Sequence, residues 1–110
     1  MTLPELAQAV AEELGTLGAG QGLSAEDEKL VTDRYYRVRR LYEHRGYMHW
    51  SDSDNIPNGA ETGVTALVAY YCAKPFGVPR DPQLKADGER DLALYRDRQY
   101  PRRPVKFKSF

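Results

Sequence analysis

The chain has 110 residues, a length typical of a single domain with one modest hydrophobic core. Sixteen Lys and Arg residues balance sixteen Asp and Glu residues, which argues against a surface built throughout for nucleic acid or an anionic membrane. A single cysteine excludes an internal disulfide framework and a cysteine-rich zinc site. No basic region opens the sequence, and the longest uncharged run, Thr62 to Ala73, is shorter than the ~20 apolar residues of a membrane span. We therefore expect a soluble protein made in the cytosol.

The first predicted helix begins near Leu3. Thr2 and Glu5 have the spacing of a capping box, in which the two residues satisfy each other's free backbone groups. Gly15 is the predicted stop signal. The glycine-rich stretch 18–22 follows a helix instead of a strand and lacks the Gly-Lys-Ser/Thr of a phosphate loop, so we interpret it as a flexible loop.

The second predicted helix begins after the N-cap residue Ser24 and continues to Arg45, before Gly46. Its apolar positions recur at helical spacing, as expected for one buried face. That stripe consists of Val31, Tyr35, Val38 and Tyr42.

Three arginines of this helix stand in different positions relative to the stripe. Arg39 and Arg40 are predicted to point away from it. Arg34 falls inside it, and a buried arginine needs a partner. We expect Arg34 to pair with a carboxylate or to reach a subunit boundary.

The third predicted helix starts at Ile56 and Pro57 and reaches Ala73. It is apolar on nearly every side, which is typical of a central helix or of one covered by a neighbouring chain. Gly63 inside it costs ~1 kcal/mol relative to alanine, and this indicates a close helix crossing.

The fourth predicted helix is capped by Asp81, has Pro82 in its first position and ends near Gln99. Two prolines in residues 100–110 prevent its continuation. The fold prediction is therefore all-α: a small bundle of about four helices over residues 1–99, with an extended basic arm over residues 100–110.

Candidate chemistry is sparse. His44 and His49 straddle the predicted helix end, so they do not share a helix face. Asp52 and Asp54 resemble the start of a calcium loop, but its twelfth position is a glycine where a glutamate is required, so a turn is the better interpretation. Cys72 lies in the most apolar stretch, where cysteine is usually a core residue. We predict no catalytic residue, no metal site, no cofactor and no enzymatic activity.

The neutral total conceals charge segregation. Residues 1–33 carry a net charge of −6 and residues 34–50 a net charge of +4. Residues 51–73 carry −3, and the last ten residues carry +4 without an acid. Such zones suit head-to-tail contact between copies or a charged partner, and they are equally compatible with charge balance inside one fold.

The order of several landmarks resembles the head-to-tail adaptor proteins of tailed bacteriophages, also called head-completion, connector or neck proteins. A short amphipathic helix ends at Leu14-Gly15, and a longer helix precedes an aromatic segment with Trp50. Asp54-Asn-Ile-Pro57 then leads into an apolar helix that closes on Pro75-Phe-Gly-Val78, and a fourth helix and a basic tail follow.

This resemblance implies a structural virion protein at the head–tail junction, made in the host bacterial cytoplasm. Its implied partners are the portal protein, neighbouring copies in a twelvefold ring, and a tail or nozzle protein. Packaged DNA would pass through the ring without sequence-specific binding, and no membrane would be involved. Arg34, Arg39 and Arg40 are candidates for a subunit interface or the channel. The portal- or neighbour-binding candidates are Tyr100, Arg102, Arg103, Val105, Lys106, Phe107, Lys108 and Phe110.

Two other functions remain open. A small DNA-binding regulator could use the basic helical stretch 34–45, which mixes arginines with aromatic residues. A small enzyme could use Cys72 with His44 or His49, although no recognised motif surrounds the cysteine.

Overall fold

A computed structural model of the chain describes residues 1–17 and 21–99. These residues form an all-α bundle of four α-helices, which confirms the predicted fold class. The helices are α1 (Leu3–Glu13), α2 (Ala25–Glu43), α3 (Glu61–Cys72) and α4 (Pro82–Gln99), with a 3-10 turn at Asn58–Ala60. The predicted arm, residues 100–110, lies outside the described residues. No helix within the described ranges is long and apolar enough to cross a bilayer.

Helix α3 is the centre of the bundle. It packs against α1, α2 and α4, whereas α1 and α4 do not pack against each other. This confirms the central position predicted from its apolar sequence. Its inward side chains meet Leu6 and Val10 of α1, Val31 and Tyr35 of α2, and Leu92 of α4 in one core, and all five are fully buried.

The helix ends follow the predicted local signals. Thr2 Oγ1 accepts a hydrogen bond from Glu5 N, and Thr2 N donates to Glu5 Oε1 at 2.8 Å, so the capping box is confirmed. The hydrogen bonds that Thr2 N and Thr2 Oγ1 donate to Glu5 Oε1 lower the pKa of the Glu5 carboxyl. Gly15 and Gly46 have φ values of 72° and 75°, a conformation that favours glycine, and each follows a helix as its stop. Helix α2 ends at Glu43, two residues before the predicted end.

The predicted start of α3 is wrong. Ile56 does not begin a helix, because Met1 takes both of its backbone groups. Ile56 N donates to Met1 O at 2.8 Å, and the Met1 amino group donates to Ile56 O at 2.8 Å. Pro57 remains extended (ψ 149°), the 3-10 turn follows, and α3 begins only at Glu61. The pairing joins positions 55 residues apart, so local sequence could not indicate it.

Helices α3 and α4 cross at Gly63 and Gly88, which confirms the close crossing predicted from Gly63. A Cβ atom on Gly88 would lie 2.9 Å from Gly63 O and 3.0 Å from Leu67 N. A Cβ atom on Gly63 would lie 2.9 Å from Leu92 Cγ. All three separations are shorter than ordinary van der Waals contact, so the two backbones can approach this closely only because neither residue has a side chain.

We predict that Gly88→Ala destabilises the protein. The added methyl meets backbone atoms that cannot rotate away, and overpacking of this kind costs ~1–3 kcal/mol, more than the gain of at most ~1 kcal/mol in helix propensity. The measurement is the free energy of unfolding in denaturant. Gly22→Ala is the matched control, because a Cβ at Gly22 meets nothing within 4 Å. A Gly88→Ala variant as stable as the parent would contradict the close crossing.

Candidate functional site

Arg39 is held inside the molecule, so the prediction that it points away from the apolar stripe is wrong. Its side chain is only 11% exposed. Nε donates to Glu43 Oε1 at 3.0 Å, Nη2 donates to Trp50 O at 2.5 Å, and the guanidinium lies 5.2 Å from the centroid of the Trp50 ring. The reason is that the segment after α2 folds back over the helix, which helical spacing alone does not reveal.

The segment from Trp50 to Asp54 is anchored on α2 by tyrosines. Tyr35 Oη donates to Ser53 O at 2.7 Å, and Tyr36 Oη donates to Asp54 Oδ1 at 2.5 Å. The bond to Asp54 raises the pKa of the Tyr36 hydroxyl. Asp52 accepts a hydrogen bond from Asp54 N at 3.0 Å, which confirms the interpretation of these acids as turn residues.

Arg40 is exposed and Arg34 is partly exposed, so Arg34 is not the buried arginine that its position in the stripe suggested. Within residues 1–17 and 21–99, the structure gives Arg34 no hydrogen bond or ion pair, so it does not pair there with a carboxylate. Arg37 is also exposed and lies one turn before Arg40 and Leu41. Leu41 is 45% exposed and lies beside these two arginines. We call Arg37, Arg40 and Leu41 the α2 face.

A polar cluster joins α2 to α4. Tyr42 Oη donates to Glu89 Oε2 at 2.6 Å, and Arg45 Nη1 donates to the same oxygen at 3.1 Å. The Tyr71 hydroxyl lies 3.4 Å from the Tyr42 hydroxyl. Burial raises the pKa of Tyr42, and the bond to Glu89 raises it further, so this hydroxyl stays protonated as a donor. The cluster therefore joins α4 to the C-terminal end of α2 through polar side chains.

A groove of about 530 Å³ runs between α1 and α4, with α3 as its floor. The floor residues are small, namely Thr62, Thr65 and Ala66. Five carboxylates line the groove, whereas its cations are Arg90, which is paired with Asp87 at 3.4 Å, and the Met1 amino group, which lies 3.4 Å from Glu61. The groove is therefore acidic. Its carboxylates are Glu12, Glu13, Glu61, Asp87 and Asp91.

Sequence analysis missed this groove as a unit. The acidic zones contain Glu12, Glu13 and Glu61, but the two aspartates of α4 are offset by neighbouring bases in the sequence. The available signal was the spacing of Leu84, Asp87 and Asp91, which places them on one side of α4.

The residues considered for catalysis do not form a site. Cys72 is fully buried, and burial raises the pKa of its thiol to about 12, with a smaller opposing effect from Arg34. His44 and His49 are exposed, whereas the thiol is not. The described part of the chain contains no group of three His, Cys, Asp or Glu residues placed to hold a metal ion.

Comparison with protein-family models, with curated proteins and with solved structures finds no match to this chain. Functional inference therefore depends on the surfaces described above and on the landmarks in the sequence.

We predict that Tyr42→Phe destabilises the protein by about 1.5–3 kcal/mol, because it removes a hydrogen bond to a partly buried carboxylate. The measurement is denaturant unfolding. Tyr70→Phe is the matched control, since the described residues provide no hydrogen-bond partner for the Tyr70 hydroxyl. Equal stability of the two variants would show that the Glu89 contact contributes nothing.

We predict that Cys72 is unreactive in the folded protein. A pKa raised to about 12 leaves very little thiolate at pH 8, and burial blocks the reagent. A chromogenic disulfide reagent should react roughly a hundredfold more slowly with the native chain than with the chain in denaturant. Fast reaction at pH 8 without denaturant would contradict this and support a nucleophilic cysteine.

Proposed function

We propose that this protein is a structural, non-enzymatic head-to-tail adaptor of a tailed bacteriophage. In this proposal, copies pack side by side on the portal into a ring, twelvefold as the resemblance implies. The ring extends the DNA channel, helps to retain the packaged genome and presents a surface to a tail or nozzle protein. The site of action is the head–tail junction of the virion.

The observation that carries the proposal is a pair of separate, oppositely charged surfaces on one small helical bundle. The groove between α1 and α4 is acidic, and the α2 face is basic. They share no residue. A protein that repeats around an axis uses two different, complementary surfaces on each copy, so that every copy contacts the next in the same way.

The arginines of α2 differ in whether they are available to a neighbouring molecule. Arg34 and Arg40 have no carboxylate partner among the described residues and remain candidates for a subunit boundary or the channel wall. Arg39 is engaged by Glu43 and Trp50, which leaves little of its guanidinium for a neighbouring molecule.

Residues 100–110 are proposed to bind the portal. They follow α4, which packs on α3 and on the 3-10 turn at the edge of the bundle. Their sequence offers apolar anchors, Phe107 and Phe110, among four basic residues. An extended segment of this composition loses conformational entropy on binding and gains backbone, aromatic and ionic contacts.

The alternative, a DNA-binding regulator using residues 34–45, is less well supported by the arrangement of charges. Arg39 pairs with Glu43 and Arg45 pairs with Glu89, so two of the five arginines in this stretch already have carboxylate partners. Each phosphate contact requires a free cation, and the loss of two reduces the electrostatic affinity that such a helix offers.

We predict that mixing this chain with the portal protein of the same genome yields a complex with the mass of a portal bearing a ring of this chain. Deletion of residues 100–110 should abolish the complex while leaving the helical content and the unfolding midpoint unchanged. Native mass spectrometry measures the complex, and circular dichroism provides the folding control.

A portal that remains free in the presence of the full chain would overturn the adaptor proposal. A DNA titration distinguishes the alternative. An adaptor should bind DNA weakly and without sequence preference, whereas a regulator should prefer one sequence and lose affinity steeply with salt.

A further inference from the structure

We propose that the α2 face of one copy occupies the groove between α1 and α4 of the next copy. This inference depends on the proposed ring function and specifies the contact between neighbouring subunits. The occupant is thus a second copy of this chain, presented through Arg37, Arg40 and Leu41.

The lengths of the two surfaces are compatible. One wall of the groove is a stripe of α4 that runs from Leu84 through Asp87 to Asp91. Leu94 continues the stripe beside a smaller hollow, which shares Thr62 and Asp91 with the groove. From the helical rise, the wall from Leu84 to Asp91 is ~10 Å long, whereas the α2 face from Arg37 to Leu41 covers ~6 Å. The α2 face is therefore shorter than the wall that it would contact.

The floor of the groove permits close approach of a helix. Thr62, Thr65 and Ala66 have short side chains, and α1 and α4 do not close over them. A helix laid in such a groove is anchored by apolar side chains on one face. Leu41 is 45% exposed and is the only large apolar residue of the described part of α2 with such exposure, so it is the natural anchor.

Charge determines which surface can enter the groove. Glu12 and Glu13 have no ion pair within the described residues, so they are available to an incoming cation. Arg37 and Arg40 likewise have no carboxylate partner there and lie beside Leu41 on the helix surface. An apolar anchor beside two cations therefore meets small residues between carboxylates. Like charges would oppose both groove-to-groove and face-to-face pairing.

The geometry of this contact is head-to-tail. Because the groove and the α2 face share no residue, each copy that uses one surface still presents the other. A contact of this kind repeats from copy to copy, and it ends in a ring when the rotation closes. A two-fold dimer would use the same patch on both partners and would stop at two copies.

The first test is disulfide cross-linking between two variants, Leu41→Cys and Thr62→Cys, under mild oxidation, with and without the portal. A mixture should yield a product of twice the 12.5 kDa chain mass, and neither variant alone should yield it. A chain with both substitutions should yield a ladder of higher multiples. The control replaces Thr62→Cys with Ala86→Cys, which is exposed on α4 but does not line the groove. The native Cys72 is buried and does not participate.

The second test reverses charges. Arg37→Glu with Arg40→Glu in the Leu41→Cys chain should reduce the cross-linked product at least tenfold. Glu12→Lys with Glu13→Lys in the partner chain should restore it. Rescue by the second reversal separates an interface effect from misfolding, because a misfolded chain is not repaired by its partner.

The outcomes separate this inference from the proposed function. Cross-linking and charge rescue without portal binding would support the contact and overturn the adaptor function. Portal binding without the Leu41–Thr62 product, in the presence or absence of the portal, would support the function and overturn the contact. Cross-linking of Thr62→Cys to the portal, or loss of the product on deletion of residues 100–110, would also overturn it.

Discussion

The close approach of α3 and α4 at Gly63 and Gly88 is the constraint on which the other features depend. A side chain on either glycine would force the two helices apart. Their proximity brings Leu92 into the core and Glu89 to the Tyr42 hydroxyl. It also places α4 against one flank of α3, and the side of α4 opposite the polar cluster becomes a wall of the acidic groove. One packing contact thus places the polar cluster on one side of α4 and the acidic groove on the other.

Local chemistry predicted the helices well because their ends depend on neighbouring residues. Thr2 and Glu5 cap α1 through bonds three residues apart, and Ser24 caps α2 in the same way. Ile56 shows the limit of this reasoning. An Ile-Pro pair is a reasonable helix start. Ile56 is nevertheless paired with the backbone of Met1, which lies 55 positions earlier in the sequence.

The candidate surfaces were less accessible to sequence reasoning because they combine residues from several elements. Arg39 was predicted to point away from the apolar stripe, but Trp50 returns from the following segment and covers its guanidinium. The groove requires α1 and α4 to flank α3, and no local pattern encodes that placement. Charge segregation along the sequence was compatible with complementary surfaces and equally with charge balance inside one fold, and packing determined which carboxylates form the groove.

The pairing of Met1 with Ile56 has a consequence for how the chain acquires its structure during synthesis. The ribosome releases α1 and α2 first, but α1 has no backbone partner at its beginning until Ile56 emerges. Helix α3 follows within a few residues, so the most apolar helix appears when both of its first two neighbours are already available. The flank of α3 around Gly63 and Leu67 then stays uncovered until α4 is synthesised, because Gly88 and Leu92 of α4 pack there.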